Sequence, residues 1–393
     1  LERLEKDAIL TVRNELDLWE YISKVLPIVK DVKERKEYAL KEYVKRFDGY
    51  EGEICMKKDD IYTKADDELV RVFERVLDQL ESFNKALIPS NVEVRISGII
   101  GSQLWEPINK LGAYVPGGLY PYPSTVLMTA GLAKRLGVKE VVVATPPKAA
   151  LSKSVASALV ASNVDKVVLA GGAHGIAALA YLEGVHKIVG PGGPYVQAAK
   201  VLVSSHVPID MVAGPTELAV LASTNADPEE IAYDMLAQAE HGPLSFAVLV
   251  TDNEELANRV KKIVETFEND IEGKLYYTIV DDVEEGVKLI SQLAPEHVSL
   301  YVDSYKLPVA GAVSANTPSP LIDYASGANH VLPTSGWARA RGPLSPVDFF
   351  RWTVMVKAYP ESKELFEVAI KIANMEGMRF HETALKEALK KFH

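Results

Sequence analysis

Val141-Val142-Val143-Ala144, then Val167-Val168-Leu169-Ala170, Ile188-Val189 and Ile209-Asp210-Met211-Val212 form a series of short, mainly apolar runs, each followed by a turn signal and separated by helix-like segments. A strand with one wet face alternates apolar and polar residues. The first three runs do not alternate, so both faces of those strands are expected to be covered, as in a parallel sheet between helices. Residues 114–215 are therefore predicted to be a doubly wound domain. A helix through Met128, Leu132 and Leu136, stopped by Gly137, belongs to the same pattern.

Outward from this stretch the alternation resumes. Strands are predicted near 246–251, 276–280 and 298–302, with helices between them. Short alternating runs broken by glycine suggest further strands over 92–114. Residues 1–90 are charged and helix-like, as in Leu18, Tyr21, Ile22, Val25 and in Leu69, Val72, Phe73, Val76, Leu77. The fold class is read as α/β: two Rossmann-like units with parallel sheets side by side, plus small helical N- and C-terminal regions. The predicted divisions are 1–20, an N-terminal helical segment packing with the C-terminal region; 21–113 with 216–340, a first α/β domain; 114–215, a second; and 341–393, a helical C-terminal region. Ligands are expected in the cleft, beyond the carboxyl ends of the strands.

The 393 residues carry a net charge of -11, with 48% hydrophobic and 25% charged residues. That balance fits a globular chain and disfavours a nucleic-acid surface, which wants clustered lysine and arginine. Small molecules are the expected partners. Cys55 is the single cysteine, so no intramolecular disulfide is possible, and it is read as a structural thiol far in sequence from any histidine. No apolar run reaches the ~18 residues of a membrane span, and Leu1-Glu2-Arg3 does not read as a secretory signal. A cytoplasmic protein with no membrane association is expected.

Ionisable residues gather in a few turns. In Gln238-Ala239-Glu240-His241-Gly242-Pro243, a helix begun by Asp227 and Pro228, with Glu230 as a box-like partner, is predicted to stop at Gly242. Gln238 and His241 then share a face of the last turn and suit a borderline metal ion, although a histidine there also answers the helix dipole. Glu296-His297, after Pro295, joins an acid to a base that titrates near neutrality. Asp323 and His330 lie in a loop of small residues; Glu376 and His381 lie near the end. Together Gln238, His241, Asp323 and His381 make an oxygen and nitrogen set without thiolate, suited to zinc or, second, manganese. The glycine loops 171–175 and 190–193 read equally as a nucleotide site or as tight turns.

These segments resemble one family, histidinol dehydrogenase. The resemblance rests on Tyr114-Val115-Pro116-Gly117-Gly118, Gly214-Pro215-Thr216-Glu217, the 238–243 segment, Pro295-Glu296-His297, Asp323-Tyr324-Ala325-Ser326-Gly327 with Asn329-His330-Val331-Leu332-Pro333-Thr334, and Glu376-Gly377 with His381, in family order across most of the chain. It implies oxidation of L-histidinol through the aldehyde to L-histidine, the last step of histidine biosynthesis, with one Zn2+ per subunit and reduction of two NAD. It implies zinc on Gln238, His241, Asp323 and His381; His297 as base; Glu296 activating water; and a substrate shell of Thr216, Gln238, His241, His297, Asp323, Glu376 and His381. His330 is a weaker member of that shell. It further implies an intertwined homodimer in which the C-terminal region carries Glu376 and His381 to the partner. Thr216 stands where the family usually has serine. Of the implied cofactor contacts Tyr114, His174 and Gly193, the second replaces a common glutamine and the third an asparagine. A metal hydrolase would use the same zinc, glutamate and histidine but needs no dinucleotide. A binding protein without turnover would not need both Glu296 and His297.

Overall fold

The computed structural model describes residues 1–13, 18–117, 120–267, 269–303 and 306–392. Gly118 of the expected glycine loop and the tail residue His393 lie outside them. Among the described residues three sheets form, and the chain divides into two compact units, 1–87 with 108–349 and 88–107 with 350–393.

The first unit holds two sheets. One has the strand order Glu2–Arg3, Lys274–Ile279, Phe246–Thr251, Glu217–Ala222, His297–Tyr301, Ala312–Ala315, all parallel. The other orders Cys55–Lys57, Lys166–Leu169, Glu140–Thr145, Lys110–Tyr114, Lys187–Val189, parallel except for its first edge strand. Val141, Val142 and Val143 are fully buried, as unbroken apolar runs require when helices cover both faces. The helices Leu18–Arg35 and Glu37–Tyr43 lay Val25, Val29, Val32 and Leu40 into the core beside Val142, Val168 and Ile188. The N-terminal helical region therefore covers the five-stranded sheet.

Several expectations change. The segment 1–20, read as helical, opens with the strand Glu2–Arg3, which extends the six-stranded sheet, and Ile9 and Val12 enter that sheet's core. The strand Lys110–Tyr114 and the helices over 18–85 belong with the five-stranded sheet, so the 113/114 boundary falls inside a strand. Residues 209–212 contribute a single bridge, Ile188 to Ile209, because Asp210 turns inward to bond backbone amides. The central strand Glu217–Ala222, absent from the sequence reading, begins with a buried carboxylate that Arg13 pairs at 2.6 and 2.8 Å.

In the second unit, the region read as helical contains the nine-residue strand Phe350–Ala358. It pairs antiparallel with Ile99–Pro107, which pairs in turn with Val92–Ile96. Helices Lys363–Met375 and Arg379–Leu389 follow. The strand's partner lies some 250 positions earlier, and this long-range pairing overrides local helical signals.

Candidate active site

The helix Pro228–Ala239 starts as its sequence dictates. Asp227 caps it by accepting from Glu229 N at 2.9 Å, and Pro228 takes the first position, where no amide partner is needed. It ends at Ala239, three residues before Gly242, whose φ of +127° carries the chain away from the helix. Gln238 is thus in the last turn and buried, while His241 stands in the turn beyond and is exposed. The His241 Nδ1–H donates to Ala237 O at 3.0 Å, which leaves Nε2 as the lone-pair nitrogen.

Six other segments meet this helix end. Thr216 precedes the strand Glu217–Ala222; Glu296 closes the turn through Ala294, which is left-handed at φ +49°; and His297 opens the strand His297–Tyr301. Asp323 comes from the short helix Pro320–Tyr324, and His330 from the loop after it. Gly193 and Pro191 come from the loop that leads into the helix Pro194–Val203. All of these line one cavity of about 390 Å3, with Tyr122, Ser124 and Thr125 on its wall.

The cavity contradicts one expectation about place. The six-stranded sheet faces it with the amino ends of its strands, at Thr216, Ser245 and Glu296, whereas the five-stranded sheet offers its carboxyl side, at Pro116 and Pro191. In a parallel layer each helix runs antiparallel to the strands, so a site built on a helix C-terminus falls at the amino edge. That consequence was available once Gln238 and His241 were placed at a helix end.

The electrostatics are set by burial. Asp323 is pushed up to about 7, first by desolvation and then by the nearby Asp234 charge. Glu296 is held well above the ordinary carboxylate range by its burial, against donation from the Glu217 amide and the Thr216 hydroxyl. His297, fully enclosed, is lowered to about 3 by desolvation and is neutral at physiological pH. Its Nε2 lies 3.4 Å from Asp323 Oδ1, and its Nδ1 is buried without a hydrogen-bond partner. His297 is thus a neutral imidazole on the cavity lining, with one ring nitrogen able to accept a proton.

Among the described residues no group of three or more His, Cys, Asp and Glu side chains is arranged to hold a metal ion. The expected set satisfies that statement, because one member is an amide and another, His381, lies in the second unit. Gln238, His241 and Asp323 share the cavity, and His241 presents a free Nε2; these donors fit zinc chemistry. His381, in the first turn of its helix, and Glu376, at the end of the preceding one, are exposed in the second unit.

The implied cofactor contacts divide. Gly193 lines the cavity with open space above its α-carbon. Tyr114 and His174 are buried away from the lining: the Tyr114 hydroxyl accepts from Gly172 N at 2.8 Å, and His174 Nε2 meets Asp48 Oδ2 at 2.7 Å. They brace the start of the helix Gly172–Tyr181, which takes up most of the expected 171–175 glycine loop and whose Gly175 packs so closely that an added Cβ would lie 2.4 Å from Ala170 O. Cys55 is a half-buried thiol pushed up by burial, as a structural cysteine should be. Tyr122 and Thr125 escaped the sequence reading, although Pro123 at the first position of a short helix marked their turn.

Comparison with known proteins gives the family of the whole chain. Residues 11–389 match the sequence model of the histidinol dehydrogenase family. A histidinol dehydrogenase of Saccharolobus solfataricus is 41% identical over 380 residues, covering 91% of this chain and 94% of that protein. One from Archaeoglobus fulgidus is 36% identical, covering 98% of this chain and all of the relative. The crystal structure of histidinol dehydrogenase from Elizabethkingia anophelis superposes with a TM-score of 0.86 at 29% identity, over 99% of this chain and 94% of the other. The chain is an oxidoreductase and belongs to the histidinol dehydrogenase family.

Proposed function

We propose that the protein oxidises L-histidinol, through L-histidinaldehyde, to L-histidine, passing two hydrides to NAD with one zinc ion per subunit. The observation that carries this reading is the convergence of Thr216, Gln238, His241, Glu296, His297 and Asp323 on one cavity in a chain of this family. A volume of about 390 Å3 suits a small amino alcohol.

Gln238, His241 and Asp323, with His381 of a second copy, would hold the zinc. When bound, the ion supplies a Lewis-acidic grip on imidazole and amine nitrogen. Thr216 and Asp323 orient the substrate, which fixes the carbinol carbon and retains the aldehyde between the two oxidations. His297, neutral before the reaction, takes the alcohol proton as hydride leaves carbon. Asp323, whose Oδ1 lies 3.4 Å from His297 Nε2, stabilises the imidazolium that forms. Glu296, buried beside His297 with its carboxyl held well above the usual range, draws a proton from water as it adds to the aldehyde, while His297 returns its proton to the aldehyde oxygen. His297 then serves again as base while the hydrate loses its second hydride.

NAD is the proposed hydride acceptor. The open backbone of Gly193 supports an approach along the 190–193 loop, while Tyr114 and His174 would act by bracing the start of the helix Gly172–Tyr181 rather than by direct contact. Dimerisation is supported by the second unit, where Val354, Val356, Trp352, Ile372, Met375 and Phe380 are 50–84% exposed. So large an apolar face marks an interaction surface.

The test follows NADH absorbance with L-histidinol, with and without a chelator. Two NADH per substrate consumed, abolished by chelation and restored by zinc, is the expected result. Bound zinc without any reduction of NAD would overturn the reading.

A further inference from the structure

One buried carboxylate stands outside the proposed chemistry. Asp234 lies one helical turn before Gln238 and is 1% exposed. Its Oδ1 accepts from Ser319 N at 2.9 Å and from Ser319 Oγ at 2.6 Å; its Oδ2 accepts from Tyr301 OH at 3.3 Å. Ser319, fully buried, in turn accepts from Gln238 Nε2 at 2.9 Å.

We propose that Asp234 and Ser319 are positioning residues that fix which atom of the Gln238 carboxamide meets the metal ion, an inference that rests on the zinc reading. Protons can be counted along the chain of bonds. A serine hydroxyl has one proton, and a carboxylate only accepts. The short bond to Asp234 commits that proton, so Ser319 Oγ can only accept from its other neighbour. Gln238 must therefore present its NH2 to Ser319. A side-chain interaction between Gln238 and Asp323 works against the burial that raises that carboxyl. With the NH2 end held at Ser319, the carbonyl oxygen is the atom left to donate a lone pair. A flipped amide would set an oxygen against Ser319 Oγ with no proton between them, and would leave N–H groups where a cation should bind.

The same carboxylate reaches the second ligand. Ser319 is the residue immediately before the helix Pro320–Tyr324, and its amide is pinned by Asp234. Pro320 has no N–H to offer an alternative anchor. Asp323, one turn on, is placed by that start. Asp234 thus ties Gln238 and Asp323 to one point, the kind of support behind a metal site whose loss typically costs ~10–100-fold in affinity.

The experiment measures zinc affinity of the full chain by competition with a chromophoric chelator, together with the melting temperature of the metal-free protein. Ser319→Ala releases the amide and should weaken zinc by ~10–100-fold while metal-free melting stays near wild type. Asp234→Ala frees the serine proton to point at Gln238 and should give the same loss. Asp234→Asn keeps an oxygen for both Ser319 donors and should stay within ~3-fold of wild type. A folded Ser319→Ala or Asp234→Ala chain that binds zinc as wild type does overturns the proposal, as does a lowered metal-free melting temperature with unchanged zinc affinity. A wild-type chain that takes up no zinc overturns the zinc reading itself.

Discussion

At the residue scale, the site depends on ionisable groups taken out of water in opposite senses. Burial raises Asp323 to about 7 and Glu296 well above its usual range, and it lowers His297 to about 3 and His330 to about 4. In metal-free protein, folded Asp323 keeps a proton that an unfolded aspartate releases near ~4. Its stabilising contribution is therefore full at low pH and is lost as pH rises through about 7. The two imidazoles act the other way. Unfolded histidine takes up protons below ~6.5 that the buried rings refuse, so their contribution is full above that pH and fades as it falls. From pH ~6.5 to ~8 the two effects oppose each other: the imidazoles complete their gain while Asp323 loses its contribution. Asp323→Asn removes the opposing loss, so its metal-free melting temperature should rise relative to wild type as pH goes from ~6.5 to ~8; an unaltered pH dependence would remove Asp323 from the explanation. Gln238, His241, Glu296, His297 and Asp323 were legible as residues because turns and helix ends single out polar side chains. Asp234 and Ser319 were not. Their role exists only in a hydrogen-bond relay between segments 85 positions apart.

At the scale of elements, local signals succeeded where they were self-contained. Asp227 and Pro228 announce a helix that the structure begins at Pro228, and Asp227→Ala should cost about 1 kcal/mol, measured by denaturant unfolding. No change in stability would mean that the cap bond to Glu229 carries nothing. The valine runs likewise name their own strands. Glu217–Ala222 was hidden because its first residue is charged, and that charge is made tolerable in the core by Arg13, some 200 positions away, and by the Ser335 amide. Phe350–Ala358 was hidden for a related reason: its strand character is completed by Ile99–Pro107.

At the scale of the whole molecule, the α/β class with two parallel sheets was readable from periodicity, but the division into units was not. The chain leaves its first unit at 88, returns at 108 and leaves again at 350, and no composition shift marks those crossings. The proposed exchange of Glu376 and His381 between copies gives a test at this scale. Chains carrying His241→Asn and chains carrying His381→Asn should each be inactive. Co-expressed, they should regain about a quarter of wild-type turnover, since a two-fold dimer of unlike chains rebuilds one intact site. Absence of recovery in a purified mixed dimer would place His381 outside the partner's site.

The central claim is a division of labour: Gln238, His241 and Asp323 grip the substrate through zinc, and His297 moves the proton. Zinc content and turnover, measured side by side in His297→Asn and His241→Asn, test it most directly. His297→Asn should keep its zinc and lose ~100–10,000-fold in turnover, whereas His241→Asn should lose the zinc itself. Equal zinc loss in the two variants would contradict the account.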